Sequence, residues 1–319
     1  MATELAGVLN GPTLFDLSKP DAAPLFISVL LHGNETSGWE AVRKLLLANQ
    51  GLVKSSSMLV FVGNVLAAEQ AVRKLDDQPD YNRIWKGGCT AEHKFAADVI
   101  SFSRSKMPWC TIDIHNNSGP NPHYSVITDL NPATLTLASA FSSLAILARQ
   151  PPGTLTNTFS DFCTSIAIET GMPTDPESAE RASRLIEQLL REGPPIERPP
   201  NSPSIFCNDV RVTVEPGAAN NDRTFPELNP ELDAFNFKKL PAGSLICNLK
   251  DSSLGIRANN AELQDVTADY FVVENSEVRL RQDVIMSMYT RDPLIASQDC
   301  ICYFLKPMSP ARQLDLVQG

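Results

Sequence analysis

The chain has 319 residues, 43% hydrophobic and 20% charged, with a formal net charge of −10; this suits one large globular domain, alone or with a smaller companion. The acidic balance and the lack of basic runs exclude nucleic acid and anionic membrane as main partners, though not a small anionic substrate held by local arginines. Residues 1–6 lack a basic segment leading into an apolar one, no stretch reaches the roughly 18–20 apolar residues of a membrane span, and the seven cysteines sit mostly in apolar runs, so a cytoplasmic protein with reduced, buried thiols is expected.

Residues 24–31 (PLFISVLL) form a near-continuous apolar run, the pattern of a strand covered on both faces. Residues 39–49 have helical spacing, and residues 58–62 (MLVFV) read as a second buried strand. A helix over 91–103 precedes a strand over 110–115. The spacing predicts a long helix over 131–149 after Asp129-Leu130-Asn131, with Pro132 in its first turn, then a short strand over 165–169 and an amphipathic helix over 176–192. Strands alternating with helices predict an α/β fold, a mixed sheet with helices on both faces, over residues 1–197. The prolines at 194–195 and 199–200 read as a stiff linker. Beyond it lie strand-like runs at 210–214, 245–249, 270–273, 284–288 and 301–305 and no clear helix, which predicts a smaller β domain over 198–319.

The polar residues that stand out follow three apolar runs. Leu30-Leu31 leads into His32-Gly33-Asn34-Glu35, Ile112-Asp113-Ile114 into His115-Asn116, and Ile166-Ala167-Ile168 into Glu169-Thr170-Gly171. Carboxyl ends of strands in open α/β sheets are where sites gather. Catalytic zinc takes three protein ligands and leaves a place for water, and two histidines with one glutamate are such a set. His32, Glu35 and His115 therefore read as a candidate zinc site, with Gly33 allowing the turn between the first two. Asp113, two residues before His115, points to the same side and suits a carboxylate that orients the imidazole through one of its ring nitrogens. Cys300 and Cys302 lack a second ligand cluster and read as structural, and His93 reads as a helix residue.

Together, His32-Gly33-Asn34-Glu35, Asp113-Ile114-His115-Asn116 and Ile168-Glu169-Thr170-Gly171 resemble the zinc carboxypeptidase superfamily. Asp80-Tyr81-Asn82-Arg83, between the first two motifs, makes its succinylglutamate desuccinylase/aspartoacylase branch the closer likeness. Residues 236–243 (NFKKLPAG) and 272–288 extend the resemblance into the C-terminal region. It implies one zinc per chain on His32, Glu35 and His115, with Glu169 as general base. It further implies that Asn82 and Arg83 bind a substrate carboxylate and that Arg73 faces the developing oxyanion, with Lys74 adjacent as an alternative. The segment after His115 departs from the family pattern. Asn116, His123 and Tyr124 are placed there as substrate-binding candidates, His123 also as a ligand to a second metal; packing of the loop is the other reading for His123 and Tyr124. Arg279 and Arg281 either project towards the cleft or lie on a solvated strand face.

The expected function is a zinc-dependent amidohydrolase that deacylates a small carboxylate-bearing N-acyl amino acid or related amide, with the C-terminal β domain capping the cleft. A metallocarboxypeptidase acting on peptides is the alternative, and a non-catalytic carboxylate-binding protein on the same fold is a third reading. A homo-oligomer is left open.

Overall fold

In the computed structural model, which describes residues 1–148, 151–193, 203–215, 225–250 and 255–308, the apolar runs become strands with every residue buried. These are β2 (Leu25–Val29), β3 (Met58–Val62) and β4 (Cys110–His115). β2 is parallel to both β3 and β4, and β4 is parallel to β7 (Thr164–Glu169). An antiparallel strand, β1 (Thr13–Leu17), pairs with β3; β5 (Tyr124–Ile127) is antiparallel to β7 and parallel to β6 (Leu144–Leu147). The result is a mixed sheet in the order β1-β3-β2-β4-β7-β5-β6.

The helices around this sheet are α1 (Ala6–Leu9), α2 (Ser37–Ala48), α3 (Gln50–Ser55), α4 (Val65–Glu69), α5 (Ala91–Lys106), α6 (Pro132–Phe141), α7 (Leu155–Phe159) and α8 (Pro176–Glu192). Successive strand residues face opposite sides. On one side Phe26 clusters with Phe61, with Ala96 and Val99 of α5, and with Phe159 of α7. On the other, Val29 meets α2 at Gly38, where an added Cβ would come 3.0 Å from both Val29 and Ile114. Helices thus cover both faces, as expected. α8 buries Ala182, Leu185, Ile186 and Leu189 and packs against α2; a fully buried Leu or Ile side chain contributes about 1.5–3 kcal/mol. Because β2, β4 and β7 are parallel, their carboxyl ends open on one edge of the sheet.

Two expectations are corrected. The helix predicted over 131–149 stops at Phe141, and β6 follows it. Ser142 makes the break: its hydroxyl accepts from the Leu144 amide and donates to the His123 carbonyl. The run Leu144-Ala145-Ile146-Leu147 then pairs with β5 rather than continuing the helical stripe; a short apolar run fits either period. The C-terminal region also contains short helices, described below. The linker at 194–200, the boundary at 197/198 and Arg149 lie outside the described residues.

By internal contacts the chain forms two units, with Met1–Asn116 and His123–Ile205 in the first and Asn117–Pro122 and Phe206–Met308 in the second. The second is built from antiparallel strands. β8 (Ser204–Val214) pairs with β12 (Ile256–Asn260) and β16 (Cys302–Pro307), β16 with β15 (Val284–Ser287), and β15 with β10 (Lys239–Leu240). A separate four-stranded sheet has the order β13 (Phe271–Glu274), β14 (Glu277–Leu280), β11 (Leu245–Asn248), β9 (Glu227–Leu228). Val212, Ile246, Ile256, Val278, Met286 and Phe304 belong to their common core. In this unit the helices that the sequence reading missed are α9 (Thr267–Tyr270) and α10 (Pro293–Gln298), together with a 3-10 turn over Pro230–Phe235. α10 and the turn open on Asp292-Pro293 and Asn229-Pro230, a side-chain cap followed by proline at the first position, which is a legible start signal. Arg279 is tied to Glu277 and to the Gly243 carbonyl, and Arg281 donates to the Phe271 carbonyl, so both are engaged within their own sheet. No disulfide joins the seven cysteines.

Candidate metal centre

β2 ends just before His32, β4 ends in His115, and the loop after β2 carries Glu35. Gly33 is required here, since a Cβ would lie 2.2 Å from the Ala68 nitrogen at α4. Its amide donates to the Arg73 carbonyl, which sets Arg73 beside the loop. Glu35 bridges the two imidazoles: one oxygen lies 2.7 Å from His32 Nδ1 and the other 2.7 Å from His115 Nδ1. Nitrogen and oxygen donors of the three residues all fall within 4.8 Å of one another, and each residue is buried. Among the described residues no other group of three such side chains does this; neither His123 nor the pair Cys300 and Cys302 takes part in one.

The outer ring nitrogens are also held. His115 Nε2 lies 2.9 Å from Asp113, which answers the question of which nitrogen that carboxylate orients. His32 Nε2 lies 3.1 Å from Asp80. Asp80 is the residue that sequence reasoning passed over, although it opens the Asp-x-Asn-Arg motif. It accepts two hydrogen bonds from Arg73, at 3.2 and 3.0 Å, and one from the Asn82 amide at 2.7 Å. With both Nε2 atoms facing carboxylates and both Nδ1 atoms converging with Glu35, the three residues could hold a metal ion, and two imidazoles with one carboxylate are a donor set that suits zinc.

The charges reinforce one another. Burial disfavours ionised Glu35, yet His32 and His115 hold its pKa far below the usual carboxylate range. Burial likewise opposes charge on the imidazoles. Asp113 and Glu35 nonetheless raise His115 well above its ordinary value, and Glu35 and Asp80 raise His32 against both burial and Arg73. Glu169 behaves oppositely. Burial pushes its carboxyl up to about 7 despite the pull of His115, with Glu35 adding to the rise. It sits opposite His115 in the β4/β7 register, is 7% exposed, and its Oε2 has no partner among the described residues.

The remaining candidates are placed as follows. Arg73 is 7% exposed; besides its bonds to Asp80 it lies 3.9 Å from Glu35. Asn82 sets its Nδ2 3.4 Å from His115 Nε2, while its Oδ1 accepts from the Leu155 amide at the start of α7. Arg83 is half-buried and donates to the Asn82 carbonyl at 2.8 Å. The Asn116 side chain is spent within the protein: Nδ2 lies within reach of Ser37, Thr170 and Gly171 oxygens, and Oδ1 accepts from the Ser37 amide. These bonds tie the residue after β4 to the start of α2 and to the turn after β7. His123 stands edge-on to Phe141 with Arg181 and Asp175 nearby, and burial lowers its pKa. Tyr124 is fully buried in β5, opposite Glu169 in the β5/β7 register.

A mixed α/β sheet that buries a two-histidine, one-glutamate group at the ends of its parallel strands defines a chain of the zinc carboxypeptidase-like class. More narrowly, this chain belongs to the succinylglutamate desuccinylase/aspartoacylase family, because residues 22–192 match the model of that family's catalytic domain. Among solved structures it is similar to succinylglutamate desuccinylase from Vibrio cholerae, with 13% identity, a TM-score of 0.60, and coverage of 93% of this chain and 85% of that one. A succinylglutamate desuccinylase/aspartoacylase from Rhodobacter sphaeroides gives 15% identity and a TM-score of 0.60, covering 94% and 88%. Murine aminoacylase 3 gives 17% identity and a TM-score of 0.58, covering 91% and 97%. These likenesses bear on the fold. No curated protein sequence matches the chain. No described helix is long and apolar enough to cross a membrane.

Proposed function

We propose that the chain is a cytoplasmic, zinc-dependent amidohydrolase that removes the acyl group from a small carboxylate-bearing N-acyl amino acid. The observation that carries this reading is the buried trio His32, Glu35 and His115, with the high-pKa Glu169 opposite His115. His32, Glu35 and His115 would hold the zinc, which would supply Lewis-acid chemistry, polarising a scissile carbonyl and lowering the pKa of a water.

The chain's own residues do the rest. Glu169, poised near neutrality by burial, takes the proton from water and passes it to the leaving amine. The water oxygen bonds to the amide carbonyl carbon, the C–N bond then breaks as Glu169 delivers the proton to the amine nitrogen, and the products are a carboxylate and an amine. Arg83, with Asn82 beside it, binds the substrate carboxylate. Arg73, held by Asp80 next to Glu35, faces the negative charge that develops on the carbonyl oxygen. Family membership favours deacylation over peptide trimming. A deacylase of small amides loses activity as the substrate grows, which separates it from a carboxypeptidase.

The test combines elemental mass spectrometry of the purified protein with a graded panel of N-acetyl and N-succinyl amino acids and dipeptides. One zinc per chain, lost in a His32→Ala, His115→Ala double mutant, together with turnover that falls with substrate length, is the expected result. Rates that rise with peptide length point to a carboxypeptidase. Carboxylate binding without turnover in the zinc-loaded protein removes the enzyme reading.

A further inference from the structure

Glu169 has an aiming problem. Its carboxylate is buried and Oε2 has no hydrogen-bond partner among the described residues, so that oxygen does not fix its direction. Direction must come from the backbone of the Glu169-Thr170-Gly171 turn. One side of that turn is fastened to the metal-bearing strand: the Thr170 amide and hydroxyl both donate to the His115 carbonyl, at 3.0 and 2.9 Å. The other side is fastened to α8.

Ser178 Oγ lies 3.1 Å from the Thr170 carbonyl and 2.9 Å from that of Met172. Arg181 Nη1 donates to the Thr170 carbonyl at 2.9 Å and to Asp175, the N-cap of α8, at 2.6 Å. The fit is close. Gly171 has φ +115, and a Cβ there would come 2.7 Å from Ser178 Oγ and 3.0 Å from Arg181 Nη1. The α8 residues engage the chain one position beyond Glu169, while Asn116 reaches Thr170 and Gly171 from the metal side.

We propose that Ser178 and Arg181 are positioning residues, a clamp on the Glu169-Thr170-Gly171 turn that holds the Glu169 carboxylate in its catalytic aim. The proposal rests on the reading of Glu169 as general base. Neither side chain touches substrate in this scheme; both act on rate through Glu169. A misplacement of about 1 Å in a reacting group lowers rate by about 100-fold, which is the scale available to such a clamp.

The experiment measures kcat, KM and zinc content of the zinc-loaded full chain with the best substrate of the N-acetyl and N-succinyl amino acid panel. The variants are Ser178→Ala, Arg181→Ala, Arg181→Lys, Glu169→Gln and the Arg181→Ala, Glu169→Gln pair. Arg181→Ala is expected to lower kcat about 10- to 100-fold with KM within about threefold and zinc retained, and Arg181→Lys to recover part of the loss. On the Glu169→Gln background the same change is expected to cost less than about twofold, because the group being aimed has gone. If Arg181→Ala does not fold, Ser178→Ala carries the same test with a smaller change. Native kcat in Ser178→Ala and Arg181→Ala beside an inactive Glu169→Gln overturns the clamp alone, as does a full, multiplicative loss in the pair. Native turnover in Glu169→Gln, or no turnover by the zinc-loaded wild type, overturns the general-base reading and the clamp with it.

Discussion

Asp80 and Asp113 do the same job for different histidines. Each holds an Nε2, at 3.1 Å for His32 and 2.9 Å for His115, and so leaves Nδ1 as the nitrogen that meets Glu35. Outer carboxylates of this kind fix ring orientation and raise ligand basicity, and their loss typically weakens metal binding about 10- to 100-fold. Asp113→Asn and Asp80→Asn should therefore each weaken zinc binding by about that factor, measured by competition with a chromophoric chelator. Asp80→Asn should in addition reduce kcat, since Arg73 loses its anchor. Unchanged zinc affinity in both variants would mean that the imidazoles are held by packing alone. In the proposed reading Arg83 serves recognition rather than the metal centre. Arg83→Ala should raise KM for carboxylate-bearing substrates about 10- to 100-fold, the scale of one charge-assisted hydrogen-bond pair, with a far smaller effect on uncharged amides. These roles differ in how far sequence shows them. The grouping of His32, Glu35 and His115 was legible because apolar runs lead into His32-Gly33-Asn34-Glu35 and into His115 beside turn-forming residues. The role of Asp80 was not, because a carboxylate 48 residues from His32 meets it only once the chain between them has folded back.

At the scale of elements, the parallel strands β2, β4 and β7 were readable because burial on both faces leaves short, mostly apolar stretches, interrupted only by small polar residues and by Asp113 before the site residues at their ends. The error over 131–149 has the opposite origin. Leu144-Ala145-Ile146-Leu147 is too short for its period to declare itself, and pairing with β5 decided its conformation. β1 escaped notice as an edge strand with two exposed apolar residues, Phe15 and Leu17. The short α7 shows how little helix is needed when its packing is good. Phe159 is fully buried between Phe26, Trp85 and Phe162, and the first amide of α7, that of Leu155, donates to Asn82. Phe159→Ala should cost about 3–5 kcal/mol in stability by urea denaturation, as expected for a large cavity in an aromatic cluster. It should also impair the site more than an equally destabilising change in the core of the second unit, because α7 supports Asn82 beside His115. Equal activity losses at matched stability would detach α7 from the site.

For the whole molecule, the metal-free and zinc-loaded forms should respond to pH in opposite directions. In the metal-free form, His32 and His115 have pKa values raised from 6.5 on folding, through Glu35 with Asp80 and Asp113, although burial opposes the charge. A raised value means that the native state binds more protons than the unfolded chain. The stability it contributes is therefore complete below about pH 6.5 and is lost as pH climbs through the folded values. Glu35 and Asp80 have lowered values despite burial, so their contribution is present above about pH 4.5 and is lost in acid. The apo protein should thus be most stable in mildly acidic solution, and its Tm should fall between pH 6 and pH 8.5. Zinc requires neutral imidazoles, so its uptake releases protons and tightens as pH rises. At free zinc about 100 times its Kd, binding adds about 2.7 kcal/mol to stability. The gap between zinc-loaded and apo melting temperatures should consequently widen from pH 6 to pH 8.5. Calorimetric titrations in buffers of different ionisation enthalpy should register the released protons directly. A gap independent of pH, or no proton release, would place zinc somewhere other than on His32 and His115.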